Sequence, residues 1–542
     1  MQEYEKKAAL KREALADKIP IEWRIPASKL PGPEVLDVSE FPRTSGLLTK
    51  EELEITETNL VPLAHKIASG AWTAKEVTTA FCHRAALAHQ LVNCCVEIFF
   101  DQAIASAEKL DESFKASGKV VGPLHGVPVS LKDQFRVTGV ETSMGYVAWL
   151  GKTEKKDSIF TDLLRKAGAV LYVKTNVPQT LMVGETVNNI FGRTLNPFNR
   201  ELSCGGSSGG EGALLGLRGS VIGLGTDIGG SIRMPAAFNH LFGIRPSHGR
   251  LPYALMANSM EGQETVHSVV GPLGHSAEDI SFFMKAVLAQ EPWFYDPKVV
   301  ELPWNFLKFE AGAHGTKTFG YFDFDGVVMP HPPIKRAIKE VVAALKAQGH
   351  KVVPWKPFDH ARGIDIINKV YTADGNEDVT RTLKAGGEPA IPNIVGLLGT
   401  DTKAATLNEA WDLQLEKYHY QREHMEYWNQ QNLEHGTIDG IIMPVAPHAA
   451  VTHNDYFYYG YTAIINILDY PSMVVPVGFA SPSKDPVDSH YKPSPGMDHK
   501  VYLNYEPAKY ENGPTAVQIV GRRFQEEYVI GLAQQVETAL QS

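Results

Sequence analysis

Residues 203–233 read SCGGSSGGEGALLGLRGSVIGLGTDIGGSIR, and no other stretch restricts the fold and chemistry of this chain as tightly. Two serine turns, each flanked by glycines, fall within about thirty residues. Glycine admits positive φ and lets a ligand or a second backbone approach the main chain closely. A serine in such a turn is exposed and surrounded by free N–H donors. A nucleophile and an oxyanion hole both need that setting.

The two turns differ in what precedes them. Gly205-Gly206-Ser207-Ser208-Gly209 satisfies G-x-S-x-G, as does the same pattern one residue on. A nucleophile elbow of that kind follows a strand directly, yet Asn199 to Cys204 is a poor strand, so the pattern alone does not make Ser207 a nucleophile. The second turn follows the apolar run Val221 to Gly225, which reads as a buried strand. Consecutive N–H groups at Ile228, Gly229, Gly230 and Ser231 then suit an anion nest with Ser231 beside it. The competing reading is a plain glycine turn between strand and helix. Phosphate loops are excluded: Gly151-Lys152-Thr153 lacks the upstream glycine of a Walker A motif, position 146 being Tyr146, and no G-x-G-x-x-G follows a strand.

A serine hydroxyl needs a base. His240 and His248 lie nearby in sequence without a companion acid pattern. Lys132 sits in the apolar, strand-like run Val129-Ser130-Leu131-Lys132-Asp133. Burial disfavours the charged amine, so a lysine there falls from about 10.4 toward neutrality and becomes a base. The alternative is a solvated lysine at a strand end, or one paired with Asp133.

Helical and strand-like segments alternate along the chain: a helix over 1–18, helices over 48–90 opened by Thr49 with Glu52 three residues on, a helix over 99–116 and another over 158–167, strands at 170–174, 221–225, 438–443 and 473–477, and a last helix over 526–540. This predicts an α/β fold. Residues 1–60 read as a helical arm and proline-broken linker, and 61–542 as one domain with a helix-rich, more polar insertion at about 330–435. A net charge of −10 argues against nucleic-acid binding. Four cysteines in 542 residues are too few for a disulfide framework. Cys82, Cys94 and Cys95 read as packing residues, and no pair has zinc-finger spacing. The N-terminus lacks an apolar signal region and no apolar run of membrane-spanning length occurs, so a cytoplasmic protein without membrane attachment is expected.

Together these pieces resemble the amidase signature family. The likeness rests on GVPVSLKD at 126–133, GGSSGGE at 205–211, GTDIGGSIRMPAAF at 225–238 and GIRPSHGR at 243–250. It extends to KTNVPQTLM at 174–182, IIMPVAP at 441–447 and AVQIVGRR at 516–523. SMGYVAWL at 143–150 is most similar to the fungal acetamidase group. The resemblance implies a central mixed, twisted β-sheet flanked by helices on both sides. It implies a Ser–cis-Ser–Lys triad: Ser231 the nucleophile, Ser207 the bridging serine on a cis peptide after Gly206, and Lys132 the neutral base. Ile228, Gly229 and Gly230, with the Ser231 N–H, become the oxyanion hole. Ser208, Asp227 and Arg233 become supports. The expected activity is acyl-enzyme hydrolysis of short aliphatic amides to acid and ammonia, with no metal and no organic cofactor. Met144, Tyr146, Trp149, Met182 and Thr186 are the expected walls of a small pocket. Small carbamates, aryl amides or esters suit the same chemistry. A glutamine-hydrolysing subunit, a lipid-amide hydrolase and a non-catalytic binding protein of this fold are the alternatives. A homodimer is the expected assembly.

Overall fold

The computed structural model describes residues 2–398 and 402–542. In chain order the strands are β1 (Cys95–Ile98), β2 (Pro128–Lys132), β3 (Val170–Thr175), β4 (Val187–Asn188), β5 (Gly192–Arg193), β6 (Ile222–Asp227), β7 (Phe242–Arg245), β8 (Val269–Gly274), β9 (Thr318–Tyr321), β10 (Lys351–Pro354), β11 (Gly440–Pro444), β12 (Ser472–Phe479) and β13 (Pro514–Val520). β4 and β5 pair with each other. The remaining eleven make one sheet, ordered β1-β3-β2-β6-β8-β7-β12-β13-β11-β9-β10. It is mixed: β2 runs parallel to β3 and β6, and β9 parallel to β10 and β11, while the strands between pair antiparallel.

Helices cover both sides of this sheet. Gly209–Gly216 packs on β2, β3, β6 and β8, Arg233–Phe238 on β7, β12 and β13, and Glu526–Gln541 on β12 and β13. Strands covered on both faces read as continuous apolar runs rather than alternating ones. β2, β3, β6, β7, β8, β11 and β13 are buried at every residue. That is why 170–174 and 221–225 are recognisable from sequence. The chemistry-bearing exceptions come at strand ends. β2 closes on Lys132 and β6 on Thr226 and Asp227, and the parallel pairing of Leu131 with Leu224 puts both ends at one edge. Open sheets bind ligands at the carboxyl ends of their strands.

Predicted elements fall within a few residues of those observed. Thr49 and Glu52 form a reciprocal capping box at Lys50–Glu57. No strand precedes Ser207, and only isolated bridges at Leu202 and Ser203 occur there. Residues 330–435 are not helix alone: β10 lies within them and forms the sheet edge. The helix Glu3–Ala16 docks on the body, with Lys11 between Glu97 and Glu141 and Arg12 on the Ile190 carbonyl. Among the described residues, no helix is long and apolar enough to cross a membrane.

Candidate active site

Lys132 is fully buried. Its Nζ lies 2.8 Å from Ser207 Oγ and 2.7 Å from Thr226 Oγ1. Burial lowers the amine from 10.5 to about 7, against the opposite pull of Asp227 and Glu211. Asp133 does not share it. That carboxylate pairs with Lys174 at 2.9 Å and accepts the Ser143 and Met144 N–H groups. Burial also raises the Glu211 carboxyl to about 8, despite the hydroxyls of Ser130 and Thr175 that donate to it.

The direction of the hydrogen bonds follows from the far end of the chain. Gln134 Nε2 donates to the Ala257 carbonyl at 2.9 Å and to Tyr253 Oη at 3.1 Å, which leaves its Oε1 to accept from Thr226 Oγ1. With its proton committed, Thr226 can only accept from Lys132. A neutral Lys132 then has a lone pair for the Ser207 hydroxyl, the arrangement of a base facing a proton donor.

β6 ends by wrapping the chain around the Asp227 carboxylate. It accepts from Gly230 N (2.8 Å), Ile232 N (3.2 Å), Arg233 Nε (3.0 Å) and Asn466 Nδ2 (2.8 Å). Burial opposes ionisation, yet Arg233 above all holds the carboxyl down to about 2. Arg233 is itself buried and also reaches Gln518 and Asn466. On the outer side Tyr371 Oη donates to the Ile228 carbonyl and Thr462 Oγ1 to the Gly229 carbonyl, both at 2.6 Å. In a trans peptide the N–H points opposite to the C=O, so Tyr371 sets the direction of the Gly229 N–H. Ile228, Gly229 and Ser231 keep N–H groups without an acceptor among the described residues. Gly230 corrects the expected hole: its N–H is already given to Asp227. Its own requirement is conformational, at φ 127° with a Cβ position 2.3 Å from Thr462 Oγ1. Asp227→Ala strands the buried Arg233 guanidinium. The expected cost is about 3–5 kcal/mol of stability, read from urea unfolding.

The other serine turn abuts this one. The Gly206–Ser207 peptide is cis. Ser208 N donates to the Ser231 carbonyl at 3.2 Å, and Ser208 Oγ accepts from Thr226 N at 3.3 Å. Ser208 thus ties the turn of Ser207 to that of Ser231.

Ser231 stands between two spaces. On one side is a compartment of about 20 Å³ that it shares with Ser207, Gln134, Asn258 and Ser268. On the other is a cavity of about 490 Å³ whose walls include Met182, Tyr371, Tyr456, Phe457 and Tyr459. Of the five expected wall residues only Met182 lines these spaces. Met144 is buried behind them, its N–H on Asp133. Tyr146 is one layer back, its Oη on Ser259 at 2.9 Å. Trp149 lines a separate cleft with Arg136 and Arg381. Thr186 braces the loop before Ser207 through the Gly205 carbonyl at 2.9 Å. The larger cavity is not small, because its aromatic wall comes from 371 and 456–459 rather than 144–149. His240 and His248 stack on Phe479 and His267. Among the described residues no group of three metal-ligating side chains lies at this site; His89, Cys94 and Cys95 form one elsewhere.

Thr226, Gln134, Glu211, Tyr371, Thr462 and Asn466 escaped the sequence reading. Gln134 lies in the turn that follows β2, where the Phe135 N–H donates to the Lys132 carbonyl, and it carried no periodic signal. Thr226 and Glu211 lay inside the glycine-rich segments. Tyr371, Thr462 and Asn466 arrive from distant helices and carry no local signal.

A family model described as Amidase matches residues 76–530. An acetamidase of Emericella nidulans is 54% identical over 540 residues, 99% of this chain and 98% of that one. An acetamidase of Aspergillus oryzae is 52% identical over 538 residues, 98% of each. Among solved structures, a fatty acid amide hydrolase matches with a TM-score of 0.94 at 34% identity, covering 100% of this chain and 96% of that one. The chain belongs to the amidase family and is an amidase, a hydrolase of amide carbon–nitrogen bonds.

Proposed function

We propose that this amidase hydrolyses short primary carboxamides, acetamide among them, to the acid and ammonia through an acyl-enzyme on Ser231. The observation that carries the reading is the buried Lys132–Ser207 pair beside a nucleophile turn with free N–H groups. Ser231 Oγ attacks the carbonyl while its proton passes to Ser207, whose own proton passes to Lys132. The oxyanion forms against the Ile228, Gly229 and Ser231 N–H groups. These are already oriented, so little reorganisation is needed as charge develops. Lys132 then returns a proton through Ser207 to the departing nitrogen. Water repeats the relay to release the acid. Side chains of the protein relay the protons, and water supplies the oxygen that releases the acyl group.

Ser207 must face the leaving nitrogen to protonate it, which assigns that nitrogen to the 20 Å³ compartment. Ammonia suits a space of this size. The acyl group then points into the 490 Å³ cavity, far more room than an acetyl group fills. That volume favours a second reading, in which longer aliphatic or aromatic primary amides are also substrates. It accords with the named activity of the fatty acid amide hydrolase. Ammonia release from acetamide, butyramide, benzamide, ethyl carbamate, glutamine and oleamide separates the cases. Turnover of acetamide and butyramide with none of oleamide supports the short-amide reading. A kcat/KM that rises with acyl length supports the second. Silence on every amide overturns both.

A further inference from the structure

The helix Ala74–Val92 ends on Asn93, whose left-handed backbone (φ 55°) folds the chain back on the last turn. Cys94 and Cys95 follow at once, and β1 begins at Cys95. The fold-back returns Cys95 to His89, with Cys95 N donating to Nδ1 at 3.1 Å. The two thiols end 3.9 Å apart and fully buried. One ligand atom from each of His89, Cys94 and Cys95 lies within 4.8 Å of the others. The turn thus brings two adjacent thiols and an imidazole together.

We propose that His89, Cys94 and Cys95 form a binding site for a soft monovalent cation, specifically Cu(I). Two metal–sulfur bonds of about 2.3 Å span ~3.8 Å at a tetrahedral angle and ~4.0 Å at a trigonal one. The thiols already stand at 3.9 Å. Thiolates suit soft ions, Cu(I) with zinc and iron–sulfur clusters, and of these a d¹⁰ ion of low charge accepts two sulfurs and one imidazole. Zn(II) on two thiolates and one imidazole takes water or substrate as a fourth ligand, whereas both sulfurs here are fully buried. Binding displaces two thiol protons to solvent and changes no oxidation state. His89 is half-buried and gives the site its outer wall. When Nδ1 turns from the Cys95 N–H to the metal, that N–H is freed to donate to a thiolate.

The test is an anaerobic titration of the reduced full-length protein with Cu(I) held by bicinchoninate, a competing chromophoric chelator. Wild type is expected to withdraw one Cu(I) per chain. Cys94→Ala and Cys95→Ala each lose about 100-fold in affinity, while Cys82→Ala, a buried thiol elsewhere, keeps it. X-ray absorption of the loaded wild type is expected to show two sulfur neighbours and one nitrogen. No withdrawal by wild type, or a copper without two sulfurs, overturns the site. The wild-type spectrum decides alone where a variant fails to fold. Cys82→Ala losing the metal as the other two do also overturns it.

Discussion

Ser231→Ala is expected to abolish amide hydrolysis, with a loss of roughly 10⁴-fold or more in kcat. In the proposed mechanism this side chain bonds to the acyl carbon, and among the described residues no second hydroxyl lies in the same turn. Ser207, the nearest alternative, has its hydroxyl committed to Lys132. Stability is expected to change little. Ser231 is tied into the site through its carbonyl, which accepts from Ser208 N, and alanine retains that bond. Ammonia release and a thermal melt on the same sample check both halves. An active variant places the nucleophile elsewhere.

Lys132→Met is expected to lose activity to a similar extent, because in the proposed mechanism the three side chains act as one relay and their losses do not add. Lys132→Arg is expected to be equally inactive, since a guanidinium stays charged and cannot serve as a base. In the wild type, kcat/KM is expected to rise with pH and level off above about 7, where the amine becomes neutral. Stability carries the matching signature. The folded value of about 7 lies below the 10.5 of the unfolded chain, so between these limits the unfolded state holds more protons. Stability therefore rises with pH across this window, by up to about 5 kcal/mol from this group. Below pH 7 the full cost of burying the amine is present. Lys132→Met is expected to flatten the rise. A rate profile without an inflection near 7, or a melt profile unchanged by the substitution, contradicts a neutral lysine.

Much of this site was legible in sequence because its parts lie on two parallel strands and the turns that follow. Lys132 stood out as a cation in an apolar run, and Ser231 as a serine after a buried strand. What could not be read is what distant segments bring. Tyr371 and Thr462 orient the peptides of the Ser231 turn from helices that are not neighbours in sequence. The pocket was misread for the same reason. An aromatic-rich run at 146–149 packs behind the site, while the aromatic wall comes from 371 and 456–459. Gly230 shows a finer limit. A run of consecutive N–H groups suggests a nest, but only the fold reveals that Asp227 turns back and takes one of them. Cys82, Cys94 and Cys95 pack in the core as read; that two of them also meet His89 depends on the left-handed turn at Asn93, a conformational choice of one residue with no sequence signal.

The central claim is that Ser231 is the nucleophile and that Lys132 activates it through Ser207. A serine-reactive fluorophosphonate, followed by peptide mass spectrometry, tests this most directly because its adduct does not turn over. One adduct per chain on Ser231, forming faster as pH rises through about 7 and lost in Lys132→Met, is the predicted result. An adduct on Ser207, or one that forms equally fast in Lys132→Met, would contradict it.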